Sequence, residues 1–249
     1  MKIPYHLWLA VLLAACAPSG EQAYQGWVEA EQVFVSPYEP GRVETLSVRE
    51  GDTVVSGAPL FTLDDDLQQA DLKQNQASVT NARQAFERAQ LLLKTSAGTQ
   101  KALEDAEAAL RTAEARLNSS QTRLTRRKVA SPASGVVQQI YFRQGEMVPA
   151  GRPVLALLPP ENVKLRFFVK ETMMPKIAIG DSVVVGCDGC PPDLTAQVSF
   201  IAQTAEFTPP VIYSLEERSK LVFLVEARPS MPAALRVGQP VSITLADKR

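Results

Sequence analysis

The chain contains one short β-motif twice, at residues 36–63 and again at residues 131–157. The glycines and prolines of the two copies correspond: Gly41 to Gly135, Gly51 to Gly145, Gly57 to Gly151, and Pro59 to Pro153. The apolar positions correspond as well: Val43 to Val137, Leu46 to Ile140, Val48 to Phe142, Val54 to Val148, and Leu63 to Leu157. A long polar segment rich in Ala, Gln and Leu separates the copies. A β-motif interrupted in this way predicts a scaffold that carries an inserted arm, and it argues against an enzyme.

Each copy alternates short apolar runs with turns marked by glycine and proline, a pattern typical of short strands. We expect Gly51 and Gly57, with their equivalents in the second copy, to supply the positive φ that tight turns require. The first half-motif is assigned to residues 27–64 and the second to residues 128–158. Paired with each other, the halves predict a small flattened β-sandwich.

The segment inserted between the halves, residues 65–127, predicts two helices. It has no proline between residues 64 and 125 and a single glycine, Gly98, and most of its residues are good helix formers. Apolar and small residues recur at alternating spacings of three and four, which is the a/d seam of a coiled coil. The seam positions are Leu72, Asn75, Val79, Ala82, Phe86, Ala89 and Leu93 in the first helix, and Leu103, Ala106, Leu110, Ala113, Leu117, Ser120 and Leu124 in the second.

Residues 95–99 predict the turn between these helices. Gly98 is expected to take the left-handed position after the first helix, and Thr99 is expected to cap the second. Because a short turn forces consecutive helices to run antiparallel, the insertion predicts an antiparallel coiled-coil hairpin.

Composition narrows the possible functions. The net charge of −1 gives no reason to expect nucleic-acid binding. The only histidine, His6, lies in the N-terminal segment, and its removal with that segment would leave none for acid–base or zinc chemistry. The sequence therefore predicts no catalytic site, no metal site and no cofactor.

Residues 1–15 have the pattern of an export signal, with Lys2 ahead of a short apolar run. The residues just before Cys16 resemble a bacterial lipobox, which implies cleavage before Cys16 and attachment of lipid to its thiol. The alternative is an ordinary secretory signal with a chance cysteine. Under either interpretation the chain is exported to an oxidising compartment. Residues 16–26 would then form the lipid anchor and a short tether.

Residues 159–249 predict a small antiparallel β-barrel, because several short alternating segments are separated by regular turn signals. The predicted strands are residues 163–169, 181–185, 195–201, 220–227 and 240–245, and residues 173–177 are expected to form one helical turn.

Cys187 and Cys190 form a C-x-x-C pair within this region. Three interpretations of this pair are open: a redox pair, a metal site or a structural disulfide. The disulfide fits best, because the pair lies in a turn between strands and no further cysteine or histidine is free to complete a metal site.

The half-motifs resemble the biotinyl/lipoyl carrier fold, but the modified lysine of a carrier is missing, since the helical insertion replaces its hairpin. A split lipoyl-like domain with a helical hairpin, in an exported lipoprotein, resembles the HlyD-type periplasmic adaptors, or membrane fusion proteins. The most specific matches are residues 131–137, which read SPxxGxV, and the turns at residues 50–52 and 144–146. Residues 205–208 and 216–223 resemble the ABC-exporter-associated branch of that family.

The resemblance implies an elongated α+β chain: a split lipoyl/biotinyl-like β-sandwich, a coiled-coil α-hairpin, and then the barrel. It implies a non-catalytic adaptor that is held in the periplasm of a Gram-negative bacterium by lipid at the inner membrane. It also implies an ABC transporter permease and a TolC-like outer-membrane channel as partners, and a homo-oligomeric, hexameric ring. Arg88, Leu92 and Thr99 match the Arg-x3-Leu-x6-Ser spacing of channel-docking tips, with Thr in place of Ser.

Two alternatives stay open. One is a lipoyl- or biotin-type carrier or a thiol-redox envelope protein. The other is an envelope lipoprotein whose coiled coil only spaces membranes.

Overall fold

The computed structural model describes residues 23–207 and 221–245. The described residues form two compact units: residues 32–159 make up one, and residues 23–31, 160–207 and 221–245 make up the other. Cys16 lies outside the described residues, as do residues 208 and 216–220, which carry part of the ABC-branch resemblance.

The described residues form fifteen strands and two α-helices. In chain order they are β1 (Tyr24–Ala30), β2 (Val33–Val35), β3 (Gly41–Leu46), β4 (Thr53–Val54), β5 (Pro59–Leu63), α1 (Asp66–Lys94), α2 (Gln100–Thr125), β6 (Lys128–Ala130), β7 (Gly135–Ile140), β8 (Met147–Val148), β9 (Leu155–Leu158), β10 (Val163–Lys170), β11 (Ser182–Gly186), β12 (Thr195–Ile201), β13 (Glu206–Phe207), β14 (Leu221–Pro229) and β15 (Pro240–Leu245).

The β-sandwich interleaves the two halves of the repeat. One antiparallel sheet has the strand order β2-β9-β7-β4 and the other has the order β6-β5-β3-β8. Each sheet therefore takes two strands from each half. This strand exchange confirms the split β-sandwich predicted from the repeat. Neither half alone supplies all the strands of either sheet.

The core between these sheets takes residues from both halves. Phe61 and Leu63 of the first half and Leu155 and Leu157 of the second are at most 1% exposed. The turns also repeat, and the positive φ predicted for Gly51 is confirmed at 91°, with 92° at its equivalent, Gly145. Each half thus supplies the same local structure to a shared core.

The insertion forms the predicted helical hairpin. Its helices contain 29 and 26 residues, so α1 is about 44 Å long at a rise of about 1.5 Å per residue. Every predicted seam residue is buried or half-buried, while most of the other helix residues are exposed. The most buried are Val79, Ala113 and Ser120. The seam is therefore confirmed, and it is narrow, as its alanines predict.

The second unit contains a closed antiparallel barrel of six strands in the order β10-β1-β15-β11-β12-β14, and β14 pairs back onto β10. Strand β13 adds to β14. The interior is apolar, and its most buried members include Val28, Leu165, Phe167, Val183, Val225 and Ile243. A short 3₁₀ helix at Glu171–Lys176 lies where one helical turn is predicted.

One predicted boundary is wrong. The sequence assigns residues 27–30 to the first half-motif, but these residues belong to β1, which lies between β10 and β15 in the barrel. Val28 pairs with Leu165, and both are buried in the barrel interior. The alternating pattern of this strand is compatible with either the sandwich or the barrel when only its own residues are considered. Its partners, which are distant in sequence, decide where it belongs.

None of the helices in the described ranges is both long enough and apolar enough to span a membrane.

Candidate functional site

The residues predicted to contact a channel lie at the tip of the hairpin, near the end of α1 and at the start of α2. Arg88 and Thr99 are exposed, and Leu92 is 48% exposed. Leu91, which the sequence analysis did not single out, is 62% exposed. Its exposure could have been predicted from the sequence, because Leu91 is a large apolar residue that falls outside the seam spacing. The tip thus presents two adjacent leucines and a guanidinium to solvent.

Backbone hydrogen bonds close the C-terminus of α1 as a Schellman motif. The amide of Ala97 donates to the carbonyl of Leu92 at 2.9 Å, and the amide of Ser96 donates to the carbonyl of Leu93 at 3.0 Å. Ser96 has φ of 57° and therefore holds the left-handed position.

The expectation that Gly98 takes that position is wrong, because Gly98 is not among the residues with positive φ. A Cβ at Gly98 would lie 3.0 Å from the Leu93 nitrogen and 3.1 Å from the Leu92 carbonyl carbon. Glycine is needed here because the turn passes close to the last turn of α1.

Thr99 caps α2 as predicted. Its φ and ψ of −113° and 150° are extended, and its Oγ1 accepts a hydrogen bond from the amide of Ala102 at 3.1 Å. A hydroxyl that accepts one hydrogen bond can still donate another. Thr99 therefore has a structural role that leaves its proton available to a partner.

The base of the hairpin is held by Arg127, which sequence reasoning missed. Its side chain is 9% exposed, and its Nη1 donates to the Pro40 carbonyl at 2.9 Å. Its Nη2 lies 3.6 Å from Oε2 of Glu39. Gln68, in the amide orientation that satisfies its hydrogen bonds, accepts from Nε at 3.1 Å and also from Nη2. One guanidinium therefore contacts the start of α1 and the loop between β2 and β3.

Two further arginines of α2 and its C-terminus reach the same loop. Nε of Arg123 donates to Oε1 of Glu39 at 3.2 Å, so Glu39 pairs with two guanidinium groups. The guanidinium of Arg126 lies 5.1 Å from the centre of the Tyr38 ring, within the range of a cation–π contact. The basic run at the end of α2 is visible in the sequence, but nothing local distinguishes its buried arginine from the exposed ones.

An ion pair ties the start of α1 to β3. Nη2 of Arg42 lies 2.8 Å from Oδ2 of Asp64, and the Asp64 carboxylate also accepts from the amide of Asp66 at 3.3 Å. The hydrogen bond from Arg42, followed by that backbone amide, holds the pKa of Asp64 below its ordinary value.

A network of charged side chains crosses the outside of the barrel. Lys164 lies 2.7 Å from Glu31 and 3.1 Å from Glu226, and Arg166 bridges Glu226 to Glu29. The hydrogen bond from Lys164 lowers the pKa of Glu31, and the same bond raises the pKa of Lys164. These ion pairs link β1, β10 and β14 across the outside of the barrel.

Cys187 and Cys190 are joined by a disulfide, and their Cα atoms are 5.2 Å apart. Nε2 of Gln239 donates to Sγ of Cys187 at 3.1 Å. Within residues 23–207 and 221–245, no group of His, Cys, Asp or Glu side chains is placed to hold a metal ion.

These features match a known family. Residues 31–158, about half of the chain, match the family model described as the RND membrane fusion protein barrel-sandwich hybrid domain. The chain therefore belongs to the membrane fusion protein family, whose members are periplasmic adaptors of efflux systems.

Two of the curated relatives are named as UPF0194 membrane proteins. The chain is 32% identical to a UPF0194 membrane protein of Acidithiobacillus ferridurans over 48% of this chain and 36% of that relative. It is 26% identical to a UPF0194 membrane protein of Citrobacter koseri across 100% of this chain and 99% of the relative. The chain covers only 36% and 41% of the length of the first two curated relatives.

Solved structures share the fold. The membrane fusion protein Spr0693 of Streptococcus pneumoniae superposes with a TM-score of 0.70 at 18% identity, covering 92% of this chain and all 100% of that one. A MacA–MexA chimera that carries the α-hairpin domain of Pseudomonas aeruginosa MexA gives 0.71 at 19% identity, covering 90% and 81%. At these identities the likeness shows the fold alone.

Proposed function

We propose that this chain is the non-catalytic periplasmic adaptor of a tripartite efflux or secretion system in a Gram-negative bacterium. It links an inner-membrane transporter of the ABC type to a TolC-like outer-membrane channel. Lipid on Cys16 holds it to the inner membrane, and copies of the chain assemble into a hexameric ring. The Cys187–Cys190 disulfide shapes a barrel loop and takes no part in redox chemistry.

The observation that carries this proposal is the exposed tip of the hairpin in a membrane fusion protein. Leu91 and Leu92 are large apolar side chains held in solvent at the far end of an arm. Contiguous exposed apolar surface can mark a contact site for another protein, and these two leucines are adjacent in the chain. Arg88 adds a guanidinium that can donate several hydrogen bonds to a helix surface. The tip therefore has the chemistry of a docking site for a helical partner.

A carrier function has less support. The inserted hairpin stands where a carrier would present its modified lysine, and the two half-motifs close their sandwich around an apolar core.

Photo-crosslinking from the tip tests the docking contact directly. The crosslinking amino acid p-benzoylphenylalanine would replace Arg88 or Leu92 in the full chain, expressed in cells that contain the channel. We expect both positions to capture an outer-membrane channel protein. A crosslinker at Gln121, which is exposed near the base of the same hairpin, is the control and should not capture the channel. Failure to capture the channel from either tip position, in cells with intact export, would contradict the docking proposal.

Substitutions at Thr99 separate docking from helix capping. Aspartate caps helices as well as threonine does, so Thr99→Asp should keep α2 folded while it removes the hydroxyl donor and adds a charge. We expect Thr99→Asp to weaken channel capture from Leu92 without lowering the helix content seen by circular dichroism. Thr99→Ser, which keeps the hydroxyl, should capture the channel as the wild type does. Equal capture by the Asp variant would show that Thr99 acts only as a cap.

A further inference from the structure

The hairpin and the β-sandwich have separate apolar interiors. The buried cluster of the sandwich and the apolar residues packed against it come entirely from the strands and their turns, with no member from α1 or α2. None of the seam residues of α1 and α2 belongs to that cluster or is among the apolar residues packed against it. Apolar packing between the two parts therefore does not set the direction in which the hairpin leaves the sandwich.

Polar groups fill the place where the parts meet. Arg127 is the one charged residue that is buried among the described residues, and Gln68, which it contacts, is buried too. Burying a guanidinium is costly unless it is paired and hydrogen-bonded. The partners of Arg127 supply both, because Glu39 carries the opposite charge and the Pro40 carbonyl and the Gln68 amide accept hydrogen bonds.

Arg127 and these partners come from three different segments. Gln68 lies in the first turn of α1, Glu39 and Pro40 lie in the loop between β2 and β3, and Arg127 follows α2. The main chain of Arg127 adds a fourth connection, because its carbonyl accepts from the amide of Leu63 at the end of β5, at 2.9 Å.

Gly41 fits the same arrangement. A Cβ on Gly41 would lie 2.5 Å from Nη1 of Arg127, closer than real Cβ contacts come. The guanidinium therefore occupies the space that the absence of a side chain at Gly41 leaves open, and its position is fixed on that side as well.

We propose that Arg127 is a positioning residue that fixes the direction of the hairpin relative to the sandwich, through what we call the polar joint: Arg127, Gln68, Glu39 and Pro40. Hydrogen bonds weaken steeply when they bend, so such a joint resists rotation in a way that a sliding apolar contact does not. A tilt of about 10° at the base would displace the tip of a helix about 44 Å long by about 8 Å. That displacement would misplace the docking residues, and this consequence rests on the proposed function. The role of the joint in fixing the hairpin direction does not rest on it.

The test measures hairpin direction in the full chain without any partner. Pairs of spin labels would be attached to introduced keto amino acids, which leaves the native cysteines untouched, and distances would be read by pulsed electron paramagnetic resonance. One pair joins Gln90 near the tip to Thr53 on β4, and the other joins Gln90 to Gln121 within the hairpin. All three positions are exposed.

We expect Arg127→Met to broaden the distance distribution from Gln90 to Thr53 at least twofold and to leave that from Gln90 to Gln121 unchanged. Arg127→Lys, which keeps the charge but has no planar fork to contact three partners at once, should give intermediate broadening. Arg116→Met, the same change at an exposed arginine of α2, is the matched control and should change neither distribution.

Glu39→Gln and Gln68→Leu test the joint if Arg127→Met fails to fold, and each should broaden the first distribution. An unchanged distance from Gln90 to Thr53 in all folded variants would overturn the proposal. Equal broadening of both label pairs would overturn it too, because that result shows loss of the hairpin rather than of its direction. Since no channel is present, failure of this test is distinguishable from failure of the docking proposal.

Discussion

At the scale of single residues, Ser96 holds a conformation that favours glycine. Its φ of 57° closes the Schellman motif after α1, and a left-handed conformation costs a non-glycine residue about 1–2 kcal/mol. The hydrogen bonds of the motif hold it there, and its side chain is exposed.

We therefore predict that Ser96→Gly raises the free energy of unfolding by about 0.5–1 kcal/mol, since part of the conformational gain is offset by greater freedom in the unfolded chain. Urea unfolding followed by circular dichroism would measure it. Gly98→Ala is the opposite case, because its Cβ would meet Leu92 and Leu93 at 3.0–3.1 Å, and it should destabilise. A neutral or destabilising Ser96→Gly would mean that the serine side chain contributes to the turn.

The ion pair between Arg42 and Asp64 predicts a pH effect of definite sign. Because Arg42 lowers the pKa of Asp64 in the folded state, the pair stabilises the fold at neutral pH. That contribution is lost as the pH falls through the folded-state pKa, below the ordinary range for aspartate. Asp64→Asn should therefore lose some stability at pH 7 and should lose less than the wild type on acidification.

Denaturant midpoints at pH 7 and at about pH 3, on either side of the ordinary aspartate pKa, would check this. Arg42→Met should act in the same direction, and it should raise the Asp64 titration midpoint seen by carboxyl NMR. Identical acid dependence in the wild type and in both variants would contradict the prediction.

At the scale of elements, the hairpin depends on a narrow seam. Val79 is 6% exposed on that seam, whereas Thr80, nearly the same shape, is exposed one residue later. We predict that Val79→Ala destabilises the hairpin by about 1.5 kcal/mol, because it removes about two buried methyl groups. Thr80→Ala should be neutral or slightly stabilising, because alanine is the better helix former.

Thermal unfolding followed at the helix band of the circular dichroism spectrum separates these two variants. Equal effects of the two substitutions would mean that the seam is not the stabilising contact between α1 and α2.

At the scale of the whole molecule, the chain order and the compact units do not coincide. Strand β1 precedes the sandwich but pairs with β10 and β15 in the barrel. We predict that residues 32–159 fold as an independent fragment, because they contain both half-motifs and the hairpin. Residues 160–249 alone should not form the closed barrel, since β10 and β15 would each lose their shared neighbour.

Dispersion in two-dimensional NMR spectra of the two fragments would check this, and adding a peptide of residues 23–31 should order the second fragment. A well-dispersed spectrum from residues 160–249 alone would show that the barrel closes without β1.

How much of this fold could be predicted depended on how local each signal was. The spacing from Leu72 to Leu124 identified the helical seam correctly, because helix periodicity is a property of neighbouring residues. The prediction that Thr99 caps α2 was correct for the same reason, since a cap acts on the amide three residues later. The prediction that Gly98 takes the left-handed position was wrong, because several residues of a short turn can take it. The hydrogen-bond pattern selects among them.

The sequence by itself determined the repeat, the strands and turns within each copy, the two helices and the apolar face of each, because these follow from side-chain periodicity and backbone preference. Only the tertiary structure decided that β1 belongs to the barrel, that the two halves exchange strands between sheets, and that Arg127 is buried where Arg126 is exposed. These depend on partners far apart in sequence, and the free energy of burying a strand or a charge is set by what surrounds it.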